Sequence, residues 1–383
     1  MASLLPATRD QLLVEVTTLT RDVLAPLAAA GPHGRVSRGL VAALAEHGLL
    51  PRLYPTDLGG SADPGPTATE LCVLREAMAG VSPTTETTFA VQGLGSYPIL
   101  QSGRPEITRT WIPLVARGEA VAAFALTEPD AGSDAAALAL EAEPADGGYR
   151  LSGVKTWISH APDADVYTVF ARTDPDAGAR GVTAFAVPGD ADGLTGEPIE
   201  LIAPHAIGRL EFDGVFVPAD AVLGEVGGGF RVAMQTLDLF RPSVGAAAVG
   251  MGQAALDAAV GRAATRPAFG GTLKDLQGVS HPLADVATEL QAARLLVYDA
   301  AAAHDAAAGR TTRQAAMAKL FATEAAQRAI DVAVQVHGAA GLAAGSLVGE
   351  LYREIRALRI YEGASEVQRT IIARDLFRGV DRG

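Results

Sequence analysis

Apolar positions in the first third of the chain recur with a helical period. In "TRDQLLVEVTTLTRDVLAPLAAA", Leu12, Val16 and Leu19 fall on one face, which predicts an amphipathic helix. "SRGLVAALAEHGLL" repeats the pattern between Ser37, a residue type that caps helix starts, and Gly48, a residue type that ends helices. The stretch 54–67, "YPTDLGGSADPGPT", breaks the period with Gly, Pro and Asp and predicts a loop, after which Thr67 or Thr69 opens the next helix.

Near Ala122 the texture changes. "YRLSGVKTWISHAPDADVYTVFAR", "GVTAFAVPG" and "LEFDGVFVP" are short β-favouring runs between Gly, Pro and Asp clusters, and Tyr167, Val169 and Ala171 alternate with Thr168 and Phe170 as in a strand. From "GEVGGGFRVAMQTLDLF" onward the helical texture returns, and "TTRQAAMAKLFATEAAQRAIDVAVQVHG" is apolar on most faces, as a helix buried among others is. The expected organisation is a helical domain over 1–121, a β-domain over 122–223 and a helical bundle over 224–383, in a mostly α chain.

Composition narrows the function classes. At 383 residues the chain is too long for one ordinary core, and 49% hydrophobic against 20% charged residues leaves ample surface to bury. Alanine dominates the last third, so its helices are expected to approach closely. A net charge of −13 argues against nucleic acid as a partner and against docking on anionic membranes. Cys72 is the single cysteine, which excludes an internal disulfide and a cysteine metal cluster. "MASLLPATRDQLL" lacks the basic segment and apolar core of a leader, and no run is expected to approach the ~20 apolar residues of a membrane span. The expectation is a cytoplasmic protein without a metal site.

Four segments carry candidate chemistry. In "FALTEPDAGSD" (124–134), Pro129 and Gly132 stop a helix, and the amides around Gly132 and Ser133 can converge on a phosphate; a plain capped turn reads equally from these residues. "GVKTWISH" (153–160) offers the Trp157 face and the Ser159 hydroxyl to a planar heterocycle, or a core tryptophan with its N–H satisfied. "TRPAFGGTLKDLQGVSHPLADVA" (265–287) sets Arg266, Phe269 and Gln277 around a Gly-Gly turn, with Arg266 able to fork onto a pyrophosphate or simply to sit at the surface. "RIYEGASEVQR" (359–369) places Glu362 before Gly363, so that the carboxylate projects from a bend. In an apolar cavity such a group has a raised pKa and accepts a proton; solvated, it merely ends a helix. His337 in "QVHGAAG" is expected at a helix end.

These four segments, in this order, closely resemble the acyl-CoA dehydrogenase family, over nearly the whole chain and most clearly from Ala122 to Leu376. The resemblance implies an N-terminal helical domain, a β-barrel-like middle domain and a C-terminal four-helix bundle. It implies FAD as cofactor, lined by Phe124, Leu126, Thr127, Gly132, Ser133, Trp157, Ile158 and Ser159. Arg266, Phe269, Gln277, Gln335 and Gly338 match residues that reach the dinucleotide of a neighbouring subunit, and Ser365 and Glu366 match further cofactor contacts. Asp238, Arg241, Ser133, Tyr361 and Gly363 match substrate-binding positions. Glu362 falls where many members carry the base that removes the α-proton of an acyl thioester while the β-hydride passes to the flavin. Some relatives take the base from the helix holding Arg241, but Phe240, Ser243 and Val244 offer no carboxylate there. A homodimer or homotetramer and an electron-transferring flavoprotein as redox partner follow from the same resemblance.

Departures from the family pattern keep other readings open. The family's "GGxG" reads Gly338-Ala339-Ala340-Gly341, its Thr after Glu-Gly is Ala364, and "LIAPHAIGRLEFDGVFVP" lacks the familiar "GxRxS". The acyl carrier is then free coenzyme A or a carrier protein. A flavin oxidase or monooxygenase on the same scaffold and a non-catalytic flavin-binding scaffold are the alternatives.

Overall fold

The structure, a computed structural model, describes residues 6–307 and 311–378; the "MASLL" over which no leader is expected lies outside them. In chain order the helices are α1 (Pro6–Leu19), α2 (Ala25–Ala29), α3 (Arg38–Glu46), α4 (Ala68–Ala79), α5 (Pro83–Ser102), α6 (Pro105–Ala116), α7 (Gly229–Thr265), α8 (Gln277–Asp305), α9 (Thr312–His337), α10 (Leu347–Leu358) and α11 (Ser365–Phe377). The strands are β1 (Ala122–Ala125), β2 (Glu141–Ala145), β3 (Gly148–Ser159), β4 (Val166–Arg172), β5 (Val182–Pro188), β6 (Leu194–Pro198), β7 (Ile207–Pro218), β8 (Val222–Leu223), β9 (Pro267–Ala268) and β10 (Gly271–Thr272). The chain divides into two compact units. One comprises Met1–Ala25, Thr67–Glu86 and Asp238–Gly383, the other Pro26–Pro66 and Thr87–Leu237.

Helix starts follow local side-chain chemistry. Ser37 accepts from the Leu40 amide and Thr67 from the Glu70 amide, so each hydroxyl satisfies an amide that the first turn leaves without a carbonyl. Thr67, not Thr69, opens α4. The α3 helix ends at Glu46, and Gly48 follows at φ +74°.

The helical unit is built on close approach. A Cβ at Gly250 would lie 2.2 Å from the Glu76 carbonyl oxygen of α4, and one at Gly252 would lie 2.6 Å from Leu290 of α8 and 3.2 Å from Ala326 of α9. Only hydrogen fits at Gly250, against backbone, while a methyl at Gly252 would push the Leu290 side chain aside; this is how an alanine- and glycine-rich helix buries its surface without large side chains. The expectation of no membrane-length apolar run needs correction here. The 37-residue α7 contains an 18-residue window of mean hydropathy 1.2 that passes by length and composition, and 67% of that window is buried inside the protein. Packing consumes the apolar surface, as it does for the core helix of a folded domain.

The other unit centres on an eight-stranded sheet in the order β6-β7-β3-β2-β4-β5-β8, with β1 paired in parallel to β4. Helix α5 presses on β1: a Cβ at Gly95 would meet the Ala123 amide nitrogen at 2.5 Å, and Thr168 of β4 donates to the Gly95 carbonyl at 2.7 Å. Strand β4 is thus buried on both faces up to Ala171, and its alternating Thr168 is a satisfied interior hydroxyl rather than a solvent-facing residue. From α5, Gln92 clips the edge of β1 by donating to the Ala120 carbonyl and accepting from the Ala122 amide. The strand so fixed leads directly into Leu126 and Thr127.

Candidate active site

Helix α10 stops at Leu358 and α11 starts at Ser365, leaving a turn that carries Tyr361, Glu362 and Gly363. The Ile360 and Tyr361 amides still bond back to the Ala357 carbonyl, after which the chain turns into left-handed space at Glu362 (φ +51°) and Gly363 (φ +96°). Glycine takes that geometry freely, whereas a glutamate there costs about 1–2 kcal/mol and needs to be held. The holding is visible. Arg241 of α7 donates to the Glu362 carbonyl at 3.3 Å, Lys319 of α9 to the Gly363 carbonyl at 2.8 Å, and Gln368 of α11 to both, at 3.3 and 2.9 Å.

With its backbone gripped, the Glu362 side chain has little left to bind. Its Oε2 is buried and has no hydrogen-bond partner among the described residues. Burial pushes the carboxyl above its ordinary value, with Glu86 adding to the push, while Arg75, Lys319 and Arg241 pull it down; burial prevails. Two of those cations have carboxylate partners. Arg75 bonds Glu86, both side chains being almost wholly buried, and also donates to the Ser243 hydroxyl at 2.8 Å. Arg241 pairs with Asp238 at 3.3 Å, and Asp238 accepts from Thr312 at 2.9 Å. Burial also lowers Arg241, pushes the Tyr361 phenol well up, and draws Lys319 down to about 8. A desolvated carboxylate with a bare oxygen, ringed by balanced charge, is equipped to take up one proton.

The sheet unit holds a second cluster. Lys155 of β3 is wholly buried, donating to Glu128 at 2.7 Å and to the Leu126 carbonyl at 3.0 Å, and the Thr156 amide donates to the Thr127 carbonyl at 3.0 Å. These bonds staple the 126–128 segment to β3. The β3–β7 register slips between Lys155 and Ile158, and inside that irregularity Trp157 sits at φ +58° with 53% of its surface exposed. An indole kept half bare in a strained conformation offers a flat face that could take a planar ligand. Ile158 is buried in the sheet, Ser159 closes the strand, Phe124 packs on Phe170 at 4.9 Å, Leu126 is buried and Thr127 half-buried. Gly132 and Ser133 lie exposed in the loop beyond. His160 is buried and bonded to the Ala122 carbonyl, and burial lowers it to about 4.

Of the remaining expected residues, all in the helical unit, every one but Ser365 is exposed. Strands β9 and β10 form a hairpin whose loop residues are Phe269 (φ +47°) and Gly270 (φ +82°), so the turn centres on Phe269-Gly270 rather than on the two glycines. Phe269 is 94% exposed, with Arg266 and Gln277 exposed nearby in the chain. Gln335 and Gly338 are exposed at the end of α9, where His337 closes the helix. Ser365 is buried with its hydroxyl committed to Glu324 at 2.7 Å, and Glu366 is exposed. Among the described residues, Arg266, Phe269, Gln277, Gln335, Gly338 and Glu366 make no hydrogen bond to the Glu362 turn, whereas Asp238, Arg241, Tyr361, Glu362 and Gly363 do come together. Sequence reading missed Lys319, Gln368, Arg75, Glu128 and Lys155. The available signal was charge inside apolar runs: Lys319, Thr323 and Gln327 make a polar stripe at four-residue spacing along the otherwise alanine-lined α9.

Comparison with known proteins matches this layout. Family models of the acyl-CoA dehydrogenase N-terminal, middle and C-terminal domains match residues 6–119, 123–215 and 227–377. The chain belongs to the acyl-CoA dehydrogenase family. It is an oxidoreductase of the class that acts on CH–CH bonds, with the three-domain fold of that family. It is 35% identical over 378 residues to the probable acyl-CoA dehydrogenase FadE25 of Mycobacterium tuberculosis, covering 98% of this chain and 96% of the relative. It is 36% identical over 382 residues to the mitochondrial short-chain specific acyl-CoA dehydrogenase of Sus scrofa, covering 98% and 91%. Among solved structures, butyryl-CoA dehydrogenase from Megasphaera elsdenii superposes with a TM-score of 0.92 at 32% identity, covering 99% of this chain and all of that one.

Proposed function

We propose that the chain catalyses the FAD-dependent α,β-dehydrogenation of a short acyl-CoA, with Glu362 as the base. The observation that carries this reading is the bare, buried Oε2 of Glu362 on a turn held by three side chains. The short acyl chain is supported by the short-chain and butyryl-CoA enzymes among the similar proteins. The half-exposed Trp157, beside a Thr127 segment stapled to the same strand, fits a flavin ring by the chemistry of its donors and its flat face.

In this mechanism Thr127, Trp157 and Ser159 hold the ring, with Phe124, Leu126 and Ile158 shaping that part of the unit. Gly132 and Ser133 face the phosphates. Arg266, Phe269, Gln277, Gln335 and Gly338 serve the dinucleotide of a second copy, which makes the working form a homodimer or homotetramer. FAD held there would supply the acceptor for the β-hydride, and an electron-transferring flavoprotein would be the redox partner. Asp238, Arg241 and Tyr361 orient the thioester, and the Glu362 amide donates to its carbonyl, where negative charge grows as the α-proton leaves. The α C–H bond breaks toward Glu362, whose carboxylate becomes the acid, and the freed electron pair forms the double bond as hydride leaves the β-carbon. Desolvation that raises the carboxyl before reaction makes it a stronger proton acceptor during it.

The test is anaerobic bleaching of the yellow protein by butyryl-CoA, beside longer, branched and carrier-bound acyl thioesters. Glu362→Gln should stay yellow and bleach at least ~10²-fold more slowly. Full bleaching by that variant removes the base assignment. Peroxide formed in step with turnover under air would assign an oxidase instead, and protein that takes up no flavin would leave only a scaffold.

A further inference from the structure

Lys319 is one of the few charged side chains in the interior of α9, and among the described residues its hydrogen bond goes to a neutral backbone carbonyl, that of Gly363. The surroundings make that choice informative. Arg75 reaches Glu362 from α4 but touches Glu86 of α5, and Arg241 reaches it from α7 but touches Asp238. Each of those cations is offset by its own carboxylate. Glu324 of α9 is taken by Arg359 and Ser365, and Glu366 of α11 is solvent-exposed. Among these described groups, the positive charge left to balance Glu362 is the Lys319 ammonium: three cations, Arg75, Arg241 and Lys319, face three anions, Glu86, Asp238 and Glu362.

We propose that Lys319 is a positioning residue for the base, fixing the left-handed turn through the Gly363 carbonyl and supplying the uncancelled charge that lets Glu362 ionise out of water. The inference deepens the proposed function and rests on its assignment of Glu362. Two effects follow from one side chain. The hydrogen bond opposes relaxation of a turn whose residue 362 would otherwise leave left-handed space, together with Gln368, which donates to the same carbonyl. The charge acts on the Glu362 carboxyl through a desolvated interior, where a nearby unit charge shifts a carboxyl by roughly one to two pH units. Removing it disfavours the ionised form, so the carboxyl holds its proton to higher pH.

The experiment follows the Glu362 carboxyl directly. The infrared carbonyl band of a protonated acid, identified by its absence in Glu362→Gln, is titrated in the full-length flavoprotein and in Lys319→Met. The acid limb of anaerobic bleaching by butyryl-CoA is measured alongside. Lys319→Met should move both midpoints up by roughly one to two pH units. Lys319→Gln keeps a donor and drops the charge, so it should show the same shift with a higher plateau rate than Lys319→Met; it also carries the test if methionine prevents folding. Lys319→Arg should keep the wild-type midpoint. A folded Lys319→Met or Lys319→Gln with an unmoved infrared midpoint overturns the proposal. The infrared shift stands or falls whether or not Glu362→Gln bleaches, which separates this inference from the base assignment.

Discussion

Cutting the staple between Glu128 and Lys155 should reveal which partner tolerates isolation. The pair is buried, with Nζ–Oε1 at 2.7 Å, yet its two ends are unequally supported. Glu128 also accepts from the Ala139 amide at 2.6 Å and the Leu140 amide at 2.9 Å, whereas Lys155 has the Leu126 carbonyl at 3.0 Å besides the carboxylate. Breaking a buried ion pair from one side costs about 3–5 kcal/mol, because the other charge stays behind unpaired. Lys155→Met leaves a carboxylate still bonded to two amides and should fall at the lower end, about 3 kcal/mol. Glu128→Leu leaves a lone ammonium and orphans both amides, each worth about 1–3 kcal/mol, so it should exceed 5 kcal/mol.

Urea titration with amide hydrogen exchange measures both terms. Exchange at Ala139 and Leu140 should accelerate strongly in Glu128→Leu and little in Lys155→Met, and both variants should loosen the 126–128 segment against β3. If Lys155→Met proved the costlier change, or if Ala139 and Leu140 exchanged alike in both, the account of unequal support would be wrong.

Two further outcomes concern the frame around the site. His160 titrates near 6.5 when unfolded and at about 4 in the buried folded site, so below pH ~6.5 the unfolded chain binds the proton that the fold refuses. Stability should fall by about 3 kcal/mol between pH 6.5 and 4, and His160→Asn should flatten that part of a urea-midpoint profile. Ala364 is the N-cap of α11 and offers no side-chain acceptor to its first turn. Ala364→Thr should raise the thermal midpoint, by an amount matching about 1 kcal/mol, while leaving bleaching kinetics within a factor of two.

What could be read from the sequence was whatever a few consecutive residues decide. Ser37 and Thr67 are caps because the groups they satisfy lie three residues on. The bend at Glu362-Gly363 was legible because glycine directly follows the carboxylate, and the order of helix, sheet and helix was legible because periodicity changes twice. The staple was not, because Glu128 and Lys155 are 27 residues apart and meet only through the turn from β1 and the irregular register of β3. The grip on the Glu362 turn was hidden for the same reason: Arg241 is 121 residues from the carbonyl it holds. Strand β4 shows what periodicity leaves out. Its alternation marked a strand but not which faces are covered; burial on both sides turned Thr168 inward, where the Gly95 carbonyl satisfies its hydroxyl.

The two buried lysines share a physical logic that the arginine-rich composition brings out. Only Lys155, Lys274 and Lys319 stand among 31 basic residues, and two of the three lie in the interior with a hydrogen bond to a backbone carbonyl of a site segment. A guanidinium is a broad fork that stays charged and asks for several acceptors, as Arg75 obtains from Glu86 and Ser243. An ammonium on a slender stem reaches a single carbonyl through a tight wall and can shed its proton when burial becomes too costly, which is why both lysines are drawn down to about 8. Lysine therefore sits where one carbonyl must be held and the local charge must remain adjustable. At Leu126 that carbonyl fixes the segment leading into Thr127; at Gly363 it fixes the turn that carries Glu362.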